Sequence, residues 1–67
     1  MTFVETLISE GYVFNGEDFD SCYVKHDPDN SVYHCYQEGE DEGEWNYVKI
    51  TDQLFDVVEE YTVTVGN

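Results

Sequence analysis

The chain has 67 residues, of which 40% are hydrophobic and 16% aromatic, and sixteen Asp and Glu stand against two Lys and no Arg, for a formal charge of −14. That length allows one domain, with no room for a second or for an enclosed cofactor site, while the apolar content separates it from a disordered acidic segment. So few bases exclude direct binding to nucleic acid, which needs Lys and Arg to replace counterions on phosphates, and docking on anionic membranes.

Thr2 and Glu5 have the spacing of a capping box, in which each side chain bonds the other's free backbone N–H. Phe3, Val4, Leu7 and Ile8 fall on one helical stripe and Gly11 is a good stop, which predicts a short helix over residues 3–10. Glu5 interrupts this apolar run and no basic segment precedes it. It therefore reads neither as a leader nor as a membrane span, and the expected location is the cytoplasm. There both cysteines are expected as thiols. Residues 12–14 read as a brief extended segment closed by Asn15-Gly16, and EDFD at 17–20 as a loop or a single turn.

SCYVKH and VYHCYQ, joined by DPDNS, predict a hairpin around a type I turn. With Pro28 and Asp29 as the central pair, Cys22 faces Cys35 and Val24 faces Tyr33. One face then carries Cys22, Val24, Tyr33 and Cys35, the other Tyr23, Lys25, Val32, His34 and Tyr36. After the acidic stretch EGEDEGE, WNYVKI alternates again, with Trp45, Tyr47 and Lys49 on one side and Asn46, Val48 and Ile50 on the other. Thr51 or Asp52 would cap a second helix, DQLFDVVEEY, whose apolar face is Leu54, Phe55, Val57, Val58 and Tyr61. The closing TVTVGN fits a short last strand. The expected fold is a single α+β domain over residues 1–67, a three- or four-stranded antiparallel sheet with two short helices.

Catalytic and metal chemistry find little support in this pattern. A glycosidase needs two carboxylates at fixed separation across a cleft, one with its pKa raised by burial, and a core this small builds no such cleft. Cys22, His26, His34 and Cys35 are nominally a zinc set, but His34 points away from the other three. EGEDEGE is too short for a calcium loop and spaces its oxygens differently. The expectation is a protein that is not an enzyme and has no cofactor and no metal.

The acids occur in every proposed element and loop instead of clustering in one tail. Carboxylates on rigid elements would be spaced like phosphates, which along a duplex place one negative charge per about 1.7 Å of axis. A protein that grips nucleic acid with Lys and Arg would meet such a surface as a competing ligand. In its sixteen acids, above all EGEDEGE and GEDFD, and its compact aromatic-containing chain, the sequence resembles the small acidic nucleic-acid mimics. Many of these are encoded by phages or mobile elements to block restriction, CRISPR or other host DNA-binding proteins. The resemblance implies a protein inhibitor that occupies the nucleic-acid-binding surface of a basic host protein. The candidate contact residues are Glu38, Glu40, Asp41, Glu42 and Glu44, joined by Glu17, Asp18 and Asp20 or by Asp52, Asp56, Glu59 and Glu60, with Trp45 and Tyr47 packed beside them. Two alternatives stay open: an acidic adaptor for a basic protein unrelated to DNA, and a halophilic protein whose acids only solvate it. Homodimerisation through an uncovered sheet face is open too.

Overall fold

The computed structural model describes residues 2–16 and 22–66. The chain begins with α1 (Phe3–Ser9) and continues as five strands, β1 (Val13–Asn15), β2 (Cys22–Asp27), β3 (Val32–Glu38), β4 (Glu44–Thr51) and β5 (Val57–Thr64). These form one antiparallel sheet in chain order, β1-β2-β3-β4-β5. The expected α+β arrangement of two helices on a three- or four-stranded sheet is therefore corrected to a five-stranded meander with a single short helix among the described residues.

The first helix forms as its sequence dictates. The Thr2 hydroxyl accepts from the Glu5 N–H at 3.1 Å and the Glu5 carboxylate accepts from the Thr2 N–H at 3.0 Å. Gly11, at φ 101, provides the left-handed stop.

The second predicted helix does not form. Thr51 does cap a turn there: its hydroxyl accepts from the Asp56 N–H at 3.0 Å and its carbonyl from the Phe55 N–H at 3.1 Å. Phe55 then adopts φ 57 and throws the chain back as β5. Two forces favour the strand. Val57, Val58, Thr62, Val63 and Thr64 are β-branched and suit a pleated surface, and the outer N–H and C=O groups of β4 find partners from Trp45 opposite Val63 to Ile50 opposite Val57.

The hairpin β2–β3 pairs Tyr23 with Tyr36, Val24 with Cys35 and Asp27 with Val32, two residues away from the expected register. The cause is the turn, which holds four residues instead of two. The Asp27 carboxylate accepts from both the backbone N–H (3.3 Å) and the side-chain amide (2.9 Å) of Asn30, and Ser31 takes φ 56 to close the loop. Because the slip is two residues, the side chains still divide between the faces as the alternation predicts.

One face lies under α1. Phe3 packs edge-on to Tyr36 (5.4 Å between ring centres) and against Trp45 (5.0 Å), Tyr12 meets Tyr36 (5.5 Å), and Leu7 is the most deeply buried side chain. The opposite face carries Val24, Tyr33, Cys35, Val48 and Ile50 and receives the turn before β5, whose Phe55 ring stacks on Tyr33 at 6.1 Å, with His26 on Tyr33 at 4.6 Å. No helix among the described residues is long and apolar enough to cross a membrane.

Candidate acidic interface

The meander sorts the acids by strand end. At one end, β3 and β4 are joined by the turn of residues 39–43, where Glu38, Glu40, Asp41 and Glu42 are exposed and Glu44 is half-buried. This turn is fixed by its backbone: the Gly39 N–H donates to Glu44 O at 2.7 Å, the Glu44 N–H to Asp41 O at 3.0 Å, and the Val65 N–H to Gly43 O at 2.7 Å. Gly43 has φ 78, and a Cβ there would lie 2.7 Å from the Val65 carbonyl oxygen, so only glycine fits. The carboxylates thus project from a braced turn.

Asp52 and Asp56 do not join that patch. They sit beyond Thr51, the other end of β4, which is seven residue steps and so about 24 Å from Glu44. Their neighbours are Asn30 and Ser31 of the β2–β3 turn, and the Asp52 N–H donates to Ser31 O at 3.0 Å. Glu10, Asp27 and Asp29 line an open cleft there with Tyr12, Lys25, His26 and His34. The Asp52 carboxylate accepts from His26 Nε2 at 2.9 Å. His34 Nε2 lies 3.3 Å from Asp27 and its Nδ1 2.6 Å from the Tyr47 hydroxyl. Since a carboxylate only accepts, Nε2 carries the proton, and in the neutral ring Nδ1 accepts from Tyr47. The Asn30 amide, and after it His34, holds the Asp27 carboxyl below its ordinary value.

Between the two ends, β5 contributes Glu59 and Glu60 on opposite faces. Glu59 pairs with Lys49 at 3.2 Å, and Lys25 lies over the Tyr12 ring, 5.9 Å from its centre. Both lysines of the chain are thereby held away from the 39–43 turn. Glu17, Asp18 and Asp20 lie outside the described residues. Among the described residues no group of three or more His, Cys, Asp and Glu is arranged to hold a metal ion.

Trp45 and Tyr47 are not surface anchors beside the acids. Each is only 6% exposed, and they form the floor on which α1 rests, Trp45 also meeting Tyr23 at 6.0 Å and Tyr47 meeting Tyr61 at 4.8 Å. Among the described residues the exposed large aromatics are Phe14, Phe55 and Tyr61 instead. Alternation alone put Trp45 and Tyr47 on one face. It could not show that this face is the one α1 covers. The sequence reading also missed Glu10, Asp27 and Asp29, which line the cleft at the β2–β3 turn. The signal was present, because in a meander alternate turns share an end.

No family model, curated protein or solved structure matches this chain.

Proposed function

We propose that the protein is an inhibitor that mimics nucleic acid and occupies the phosphate-binding surface of a basic protein, without catalysis of its own. The observation that carries this reading is the distribution of carboxylates over both ends and the outer strand of an elongated body. The molecule measures 35 × 22 × 22 Å, close to one duplex turn of about 34–36 Å in length. Spread along it, a net charge of −14 amounts to about one charge per 2.5 Å, against about one per 1.7 Å on duplex DNA. The turn that carries Glu40, Asp41 and Glu42 is braced by backbone hydrogen bonds. Its charges are therefore preorganised, and less ordering entropy opposes binding than in a flexible tail.

The test is capture from a lysate of the natural host at moderate salt, followed by competition with duplex DNA or RNA. A mimic is displaced by nucleic acid, and replacing Glu38, Glu40, Asp41, Glu42 and Glu44 by Gln or Asn weakens capture and flattens its salt dependence. A captured protein that holds this chain and nucleic acid at the same time would sink the mimic and leave an acidic adaptor.

A further inference from the structure

We propose that the outer edge of β5, from Glu59 to Thr64, is a docking edge that accepts an extended basic segment of the partner as an added antiparallel strand. This inference rests on the reading that the partner is basic.

The sheet has two edges, and they differ. β1 has three residues, whereas β5 has eight and, among the described residues, pairs only with β4. The far side of β5 therefore presents a row of backbone donors and acceptors, the arrangement that recruits an added strand. Edges are commonly blocked by Lys, by Pro or by a bulge. β5 has neither Lys nor Pro. It does have a bulge: Lys49 pairs with Glu59 and Ile50 with Val57, which leaves Val58 as the extra residue. That irregularity ends before Glu59, and from there the pairing runs unbroken to Thr64 opposite Glu44.

Charge decides the occupant. A second copy docked edge to edge would bring together two bodies of charge −14 each, whose mutual repulsion opposes the pairing. Lys or Arg on an incoming strand reverses that sign. Alternation suits such a strand: Glu59, Tyr61 and Val63 stand on the helix side, and Glu60, Thr62 and Thr64 on the other. Tyr61, still 45% exposed, offers an apolar ring between the charges. Beyond β5 the Val65–Gly43 hydrogen bond brings the acidic turn to the end of the edge, and Asp56 precedes its start. Carboxylates therefore stand before, within and after the docking strand.

The full chain is titrated at moderate salt with two synthetic peptides of equal length and charge, one alternating Lys and Val, the other Lys and Pro. Pro cannot donate to a ladder, so only the first can add as a strand. The expected result is affinity for the Lys-Val peptide on the order of tenfold higher, as a pair of added hydrogen bonds would give, with slowed hydrogen exchange at alternate amides of residues 59–64. Equal affinities without that alternate protection would overturn the docking edge and leave the basic partner standing. Failure of both peptides to bind would remove the basic partner as well. Alternate protection without peptide, together with a concentration-dependent dimer mass, would assign the edge to a second copy and overturn the proposal.

Discussion

Truncating Trp45 separates a core role from a contact role. The indole is 6% exposed and packs against Phe3 at 5.0 Å and Tyr23 at 6.0 Å between ring centres, so Trp45→Ala leaves a cavity under α1 and costs about 3–5 kcal/mol. A chain of this length has a total stability of only about 3–10 kcal/mol at about 0.05–0.15 kcal/mol per residue. The variant should therefore lose most of its stability. At about 4–8 °C per kcal/mol for a small domain, its Tm falls by at least about 12 °C, or the cooperative transition disappears. Far-UV circular dichroism during heating reads this directly. In the wild type the single Trp gives a blue-shifted emission that moves red in the same transition, and Trp45→Phe, which keeps a ring, melts between the two. If Trp45→Ala melted like the wild type while losing partner capture, the indole would be a surface anchor and the core assignment would be wrong.

Three further outcomes follow from the geometry. Thr2→Ala breaks the capping box and should cost about 1 kcal/mol, a Tm loss of about 4–8 °C that Thr2→Ser largely restores. The Glu5 carboxyl is held below its usual value by the Thr2 N–H and then the Thr2 hydroxyl. Its contribution is present above the ordinary carboxylate range and lost as pH falls through the lowered folded value, so the variant's deficit should shrink in acid. Gly43→Ala meets both a positive φ and the Val65 carbonyl at 2.7 Å; it should lower Tm and speed exchange of the Val65 amide. Gly66→Ala, with open space around it, serves as the silent control. Cys35 is raised to about 11, first by burial and then by nearby Cys22. Native Cys35 should react with a neutral alkylating agent far more slowly than in the unfolded chain. Its folded value lies above the unfolded 9.0, so the associated stability is whole below that pH and is lost as pH rises through about 11, which alkaline melting curves would record.

How much of the molecule was legible depended on how local its cause was. The helix at residues 3–9 was readable because Thr2, Glu5 and Gly11 carry its start and stop within a few residues. The division of β2, β3 and β4 between two faces was readable because alternation is a property of each strand alone, and it survived a two-residue error in register. The register was hidden in the turn, where the Asp27–Asn30 bonds and the positive φ of Ser31 enlarge the loop.

The acidity and its spread over the elements belong to the sequence by itself, since covalent order fixes which turns carry carboxylates and no fold can neutralise sixteen carboxylates with two lysines. The fate of residues 52–65 was decided only in three dimensions. Their apolar positions satisfy a helical stripe as well as a strand, and the balance is tipped by the open edge of β4, which residues 52–65 meet only after the meander has formed. The same long-range pairing buries Trp45 and Tyr47, sends Asp52 and Asp56 to the far end of β4, and leaves the outer edge of β5 without a strand partner among the described residues. Which side chains are available to a partner is set by contacts between strands, and those contacts are not written in the spacing of any one of them.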